Sequence, residues 1–373
     1  MPFIDRVKRH ARLSRQAGRL GSGETPPFLI LFINSICNQA CDHCFYWQSL
    51  NQRDDLTKDE IFALSDSLGP IENLYLSGGE PFLRPEYAEV CLKFTETNGV
   101  RRFYCPTNGS FTEKTITQLE AIFKDDRVEC FTVELSLDGM EAFHNEMRKD
   151  KNGFAKSMRT YDALAELKAR EPRLDIHSIS TATAENTDEI KRLSTYLLER
   201  CPAMTHHNIA MIRGDRKEPG LGGPALDAYR DLVNYVARLW ARREEGRFGG
   251  IVEPMLHWGK IEVSRQQTQV VPCKAGIMVG VVHANGDVAL CEQHDPIGNL
   301  RQNSFPEIWA SQPAVALRQS ICAKECHCTN EMFLWPSIIF RPQSLTKAYV
   351  GARAWKKPQP LGNDEMVPID PAE

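Results

Sequence analysis

Between residues 28 and 212 the chain changes about six times from short apolar runs to amphipathic stretches, and this alternation constrains the fold most. The first run, "FLILFIN" at 28–34, reads as a buried strand because Pro27 and a cysteine-rich loop bound it. "IENLYLSGGEP", "VRRFYCPTNG", "ECFTVELSLDG", "LDIHSISTAT" and "THHNIAMI" read as the later strands. Between them lie helical stretches: "TKDEIFALSDSL" opened by Thr57 as N-cap, "PEYAEVCLKFTETNG" closed by Gly99, "TEKTITQLEAIFK", and segments near 154–170 and 187–200. Strict alternation implies parallel strands with right-handed crossovers, and so an α/β fold. Six units suit an open, partial (β/α)6 barrel, since the closed kind needs eight.

The expected organisation is a basic segment over 1–27, a barrel core over 28–215, a helical connector over 216–270, a small cysteine-rich module over 271–340 and a tail over 341–373. The connector opens with the Gly/Pro-rich "RGDRKEPGLGGP" and continues into an amphipathic helix at 225–245. The module reads as short strands, with a hairpin around Asn285–Gly286, and cysteine loops. The proline-rich, polar text after about 355 is expected to be mobile.

Four strands run into distinctive loops: Cys37–Cys44, Ser77–Pro81, Thr107–Gly109 and Ser136–Gly139. Parallel α/β folds build their sites at the carboxyl ends of the strands, so these loops should converge on one face.

Twelve cysteines are many for a chain without an export signal, and metal binding or catalysis explains them better than disulfides. The start "MPFIDRVKRHARLSRQ" lacks the order of a secretory signal, and no apolar run nears the roughly 18 residues of a membrane span. A cytoplasmic protein is expected. The net charge of −4 gives no support to nucleic-acid binding. Cys91, Cys105, Cys130 and Cys201 sit in apolar segments and read mainly as small buried hydrophobes.

Cys37, Cys41 and Cys44 occupy one short loop, "CNQACDHC". A structural zinc needs four ligands, so that reading requires His43 or a distant residue as the fourth. A cubane iron–sulfur cluster held by three thiolates instead keeps one iron open for another molecule. The following Phe45–Tyr46–Trp47 is expected to shield such a cluster from water.

The Cys37-x-x-x-Cys41-x-x-Cys44 motif after a first strand resembles the defining motif of the radical S-adenosylmethionine (radical SAM) enzymes. The resemblance implies a 4Fe–4S cluster whose open iron chelates S-adenosylmethionine. Reductive cleavage then yields a 5′-deoxyadenosyl radical that removes a substrate hydrogen. "SGGEP" resembles that family's loop for the methionine amino group, which implicates Gly78, Gly79, Glu80 and Pro81. Thr107 and Asn108 of "PTNG" end the third strand; Ser136 and Asp138 of "SLDG" resemble the ribose-lining segment. Arg148 resembles the arginine that pairs with the methionine carboxylate.

Cys273, Cys291, Cys322, Cys326 and Cys328 resemble the SPASM and twitch extensions, which hold auxiliary iron–sulfur clusters. Five cysteines, against seven in the full SPASM pattern, favour one auxiliary 4Fe–4S cluster on Cys273, Cys291, Cys326 and Cys328, with Cys322 spare. A structural zinc is the alternative, with His294 and His327 available. An auxiliary cluster would accept an electron, ligate substrate or hold a lid.

Tyr75, His206, His207, Arg213, Glu253 and His257 are candidate substrate contacts near strand ends or the connector. Relatives that modify ribosomally made peptides often carry an N-terminal docking domain, and only 27 residues precede the first strand here. The expectation therefore tilts to a small molecule such as a sugar, nucleoside or lipid-linked intermediate, with peptide maturation (crosslinking or epimerisation) as the alternative. An epimerisation would need a hydrogen donor, for which Cys105 and Cys201 are candidates if they face the site. Flavodoxin or ferredoxin would serve as external electron donor. A non-catalytic iron–sulfur electron carrier or redox sensor is the remaining class.

Overall fold

Each apolar run between 28 and 212 forms a strand of one sheet, seen in a computed structural model that describes residues 3–19, 23–247, 249–354 and 366–367. The strands are β1 (Phe28–Asn34), β2 (Asn73–Gly78), β3 (Arg102–Thr107), β4 (Cys130–Ser136), β5 (Leu174–Ala182) and β6 (His206–Met211). All pair in parallel with their sequence neighbours, as alternating strands and helices require. The sheet then continues past β1 into β7 (Val279–Val282), β8 (Asp287–Ala289) and β9 (Gly298–Asn299). β7 lies parallel to β1, so the C-terminal module extends the barrel sheet across the boundary drawn at 271. The expected hairpin is the antiparallel β7–β8 pair, turned at Gly286 with φ 90°.

Outward positions of the strands are apolar: Leu74 and Leu76, Phe103 and Cys105, Phe131, Val133 and Leu135 are all buried in the core. Inward positions, two residues apart, are polar: Tyr75, Tyr104, Glu134, His177 and His206. A closed barrel fills its interior with branched aliphatic residues. This lumen holds cavities instead. The helix Lys58–Ser67 begins with a capping box between Thr57 and Glu60, and Tyr87–Asn98 ends at Gly99 in the left-handed conformation, φ 68°.

Residues 226–354 are more helical than the sequence suggests. Leu226–Trp240 matches the amphipathic segment, but Gly249–Gln266, Phe305–Ala310, Gln312–Cys322, Glu331–Ile339 and Pro342–Ala354 are also helices. Gly249–Gln266 is buried through most of its length and contains Pro254; Glu331–Ile339 contains Pro336. Neither shows the one-sided apolar stripe by which a surface helix is read. Together they reach from the edge strand β6 to β1. The Lys260 Nζ donates to the Ile209 carbonyl of β6 (2.8 Å) and pairs with Glu331, while Trp335 meets Phe28 of β1 edge-on at 5.0 Å. No described helix is long and apolar enough to cross a membrane. The tail expected to be mobile lies outside the described residues, save 366–367.

Candidate active site

The loops after β1 and β2 are laced together. The Gly79 N–H donates to the Asn34 carbonyl (2.9 Å) and the Glu80 N–H to the Ile36 carbonyl (2.7 Å), directly before Cys37. A Cβ on Gly78 would stand 2.1 Å from the Asn34 oxygen, and one on Gly79 2.2 Å from the Ile36 oxygen. The close approach these glycines permit is thus first to the cysteine loop itself. Ser35 N–H is held by both oxygens of Asp55 at 3.0 and 2.9 Å, which fixes the other side of the turn.

Glu80 is buried and accepts from Thr107 Oγ1 and Asn108 N–H, both at 2.8 Å, and from Phe82 N–H at 3.3 Å. It joins the β2 loop to the β3 loop rather than standing free for an ammonium. Burial pushes its carboxyl up to about 7 against those hydrogen bonds.

Asp138 and Arg148 meet each other. The Arg148 Nε donates to Asp138 Oδ2 at 2.8 Å, and Asp138 Oδ1 accepts from Thr181 N–H at 2.9 Å. Burial alone would raise the Asp138 carboxyl, but the Arg148 charge, then His43 and His144, hold it down at about 2. Asp138 is fully buried, where it orients Arg148. The helix Glu141–Arg148, absent from the sequence reading, delivers the arginine.

These loops enclose a cavity of about 270 Å³ at the carboxyl ends of the strands. Cys37, Cys41, Cys44, Gly78, Gly79 and Glu80 line it, as do Thr107, Asn108, Ser136 and Arg148. Pro81 does not; it starts the buried turn Pro81–Leu83. Phe45 and Tyr46 line the cavity, whereas Trp47 is exposed and takes no part in shielding it. Cys105 is buried on the outward face of β3 and Cys201 is buried before β6, at the opposite end of the strands. Neither lines the cavity, so the condition set for a hydrogen donor, that it face the site, is not met in this structure.

The cysteines themselves carry a shared local geometry. At Cys37, Cys273 and Cys291 the backbone N–H two residues ahead donates to the sulfur at 3.5, 3.5 and 3.4 Å. Tyr46 N–H and Asn330 N–H stand in the same relation to Cys44 and Cys328. Such bonds stabilise a thiolate that ligates metal and tune a cluster's potential. Burial pushes the Cys37 thiol up to about 11 and Cys41 up to about 12, a penalty that cationic iron would reverse. The thiols of the first loop line one cavity, and those of the C-terminal module line another. The chain therefore fits a cubane at the first loop.

A second cavity, about 280 Å³, has Cys273, Cys291, Cys326 and Cys328 in its wall, with His294 and His327. Cys322 ends the helix Gln312–Cys322, is exposed and lies off this wall. Gln269 supports the group: its Nε2 donates to the Ile321 and Cys326 carbonyls (2.9 and 3.0 Å), and its Oε1 accepts from Cys273 N–H at 2.9 Å.

Arg213 links the two centres. Its guanidinium lies 4.5 Å from the ring centroid of Phe45, and its Nη2 donates to Glu292 Oε2 at 2.6 Å. Asn330 Nδ2 donates to the same oxygen at 2.8 Å. Arg213, Glu292 and Met332 thereby complete the wall of the first cavity with residues beside the second. Of the other candidate contacts, Tyr75 lines this cavity and His206 and Glu253 lie deeper in the lumen. His207 is packed outward between Ser180 (2.7 Å) and Ser194 (3.0 Å), and His257 faces the Tyr229 hydroxyl at 3.2 Å. The sequence reading missed Tyr104, Glu134 and Glu292. The period-2 inward pattern ending at Ser136 marks Glu134, and Glu292 adjoins Cys291.

Residues 31–193 match the radical SAM superfamily and residues 270–330 match SPASM, an iron–sulfur cluster-binding domain. The chain is 23% identical over 316 residues to the sporulation killing factor maturation protein SkfB of Bacillus subtilis (strain 168), covering 82% of this chain and 69% of that protein. It is 25% identical over 327 residues to the mycofactocin maturase MftC of Mycobacterium ulcerans (strain Agy99), covering 81% and 80%. The structure of Streptococcus suis SuiB bound to S-adenosylmethionine superposes with a TM-score of 0.56 at 15% identity, covering 84% of this chain and 72% of that one. A second SuiB structure, at TM-score 0.55, holds the precursor peptide SuiA. The three-cysteine loop at the mouth of a partial barrel, the cysteine-walled module behind it and these matches place the chain in the radical SAM superfamily, as an enzyme with a C-terminal SPASM domain.

Proposed function

We propose that this chain is a peptide maturase, which forms a crosslink or another oxidised bond in a peptide. The observation that carries the reading is the single cavity walled by the cysteine loop on one side and by Arg213, Glu292 and Met332 on the other. A substrate there faces both centres at once. The maturases among the similar proteins, and the peptide held by SuiB, favour a peptide over the small molecule that the sequence suggested.

When bound, the first cluster and S-adenosylmethionine supply one-electron cleavage and removal of a substrate hydrogen. The chain's own residues do the rest. Cys37, Cys41 and Cys44 hold the cluster. The Gly78–Glu80 backbone, Thr107, Asn108 and Ser136 would wall S-adenosylmethionine, and Arg148, steadied by Asp138, would pair with its carboxylate. Phe45 and Tyr46 exclude water from this wall. Cys273, Cys291, Cys326 and Cys328 would hold one auxiliary cluster, which would supply a one-electron acceptor there, with Cys322 spare. The functional division is a barrel core at 28–215 and a cluster module at 271–340, working in the cytoplasm with flavodoxin or ferredoxin as donor.

The test is anaerobic. Reconstituted protein with dithionite and S-adenosylmethionine should release 5′-deoxyadenosine, and a library of short peptides should contain members that stimulate release and lose two hydrogen atoms by mass spectrometry. Deoxyadenosine without any peptide change, but with stimulation by a sugar or nucleoside, would return the reading to a small molecule. No deoxyadenosine from fully loaded protein would sink the enzymatic reading.

A further inference from the structure

Below Tyr75 and Tyr104 the lumen opens into a second chamber of about 420 Å³ at the amino ends of the strands. Tyr75, Tyr104, Glu134 and Met332 belong to the walls of both cavities, so the two meet there. Nothing in the chemistry above uses the lower chamber.

Its wall is unbalanced in charge. It holds five carboxylates (Glu134, Asp175, Glu244, Glu253 and Glu331) and two guanidiniums (Arg102 and Arg247). Asp175 is matched by Arg247 at 2.6 Å and Lys168 at 3.0 Å, Glu244 by His206 at 2.7 Å, and Glu331 by Lys260. Arg102 turns to Glu129, outside the chamber, at 3.3 Å. Among the described residues Glu134 and Glu253 have no lysine or arginine within ion-pair distance, only histidines, although the Lys260 charge also acts on Glu253. His177 Nδ1 is 3.8 Å from Glu134, while His257 Nε2 and His206 Nε2 are 3.3 and 3.7 Å from Glu253.

The wall is also unbalanced in hydrogen bonding. Asn73 is 4% exposed, and its Nδ2 donates to the Tyr75 hydroxyl on the inner face (3.2 Å), but its Oδ1 has no donor. Asn208 Oδ1 is likewise buried without a donor, and Glu253 Oε2 makes no hydrogen bond and has only the His257 ring beside it, at 3.3 Å. Every orphan side-chain atom among the described residues of this wall is an acceptor. Buried acceptors left unpaired are costly, and charge-assisted N–H donors satisfy them best. Burial also pushes the Glu253 carboxyl up, a penalty that a neighbouring cation removes.

We propose that the lower chamber binds a small organic cation, a primary ammonium or a guanidinium, with Glu253 and Glu134 as counter-ions and Asn73 and Asn208 as acceptors. Exposed Gly249 and Gly250 border the chamber, which gives a free cation a route from the lower rim. The cationic end of a substrate side chain reaches the same groups from above, past Tyr75 and Tyr104.

The test needs no turnover, so its failure leaves the proposed chemistry untouched. Butylammonium and agmatine are titrated by calorimetry into the cluster-loaded protein, with butanol as the neutral control. Saturable binding of the cations alone is expected, weakened at least about tenfold in Glu253→Gln and in Asn208→Leu, the loss of one charge-assisted contact. Two variants on different elements guard against one that fails to fold. No saturable binding to the parent, equal binding of butanol, or unchanged affinity in both variants overturns the proposal. A lysine-bearing peptide and its norleucine counterpart separate the sources. Displacement of butylammonium by the first alone assigns the chamber to a substrate side chain; displacement by neither assigns it to a free cation.

Discussion

At the scale of single residues, the site depends on charges held by other charges. Arg148 and Asp138 are both buried, and neither has solvent to fall back on. Removing one partner of such a pair costs about 3–5 kcal/mol, because the other is left uncompensated. Asp138→Asn should therefore lower the melting temperature and also weaken S-adenosylmethionine binding about tenfold or more as Arg148 loses its orientation. Equilibrium dialysis on the loaded variant checks this; parental affinity would show that Arg148 needs no help from Asp138. His206 makes a pH prediction. Burial works against its charge, but Glu244 and Glu253 hold the ring protonated up to about 9. Below the unfolded value near pH 6.5 its ion pair contributes in full; as pH rises toward 9 the unfolded chain sheds the proton first, and stability falls. That contribution is at most about 3 kcal/mol. The melting-temperature gap between parent and His206→Gln should shrink from pH 6.5 to 9, and a constant gap would refute the assignment.

At the scale of elements, the loops and helices around the lumen fit by close approach. A Cβ at Gly79 would meet the Ile36 carbonyl at 2.2 Å, backbone against backbone, where no side chain can yield. Gly79→Ala should displace the cysteine loop, halve the iron content and abolish deoxyadenosine formation while the C-terminal cysteines keep their cluster. Full iron loading in this variant would mean that the loop tolerates the shift. Across the barrel's gap, Lys260 is fully buried between Ile209, Tyr229 and Glu331. Lys260→Met should cost about 3–5 kcal/mol in chemical unfolding, with much of the loss recovered in the double variant Lys260→Met/Glu331→Leu. If the double variant is no better than the single one, the pair is not what holds the two helices.

At the scale of the whole molecule, two thiol-lined cavities stand on either side of Arg213 and Glu292. Two cubanes give about eight irons per chain. Cys322→Ser should leave that number unchanged, whereas Cys273→Ser or Cys328→Ser should lower it toward about four. Equal loss in all three would restore Cys322 as a ligand. Much of this arrangement was legible beforehand. The six barrel strands lie where the apolar runs are, and the four loops converge as parallel topology demands. The helices Gly249–Gln266 and Glu331–Ile339 were not legible, since burial on nearly all sides and an internal proline erase the helical stripe.

Local pattern alone set the alternation of strands and helices, and with it the parallel sheet, the end at which the site lies and the cysteines that stand ready for clusters. These follow from local pattern and from the handedness of crossovers, which need no knowledge of distant contacts. Which polar groups face the cavity and which face each other is settled by the folded packing. It set Asp138 against Arg148 and Glu80 against the β3 loop, buried Cys105 and Cys201 away from the cavity, and left Glu134 and Glu253 beside histidines inside one lumen. Such pairings join residues tens to hundreds of positions apart, and their energies depend on burial and distance, quantities that exist only once the chain has folded.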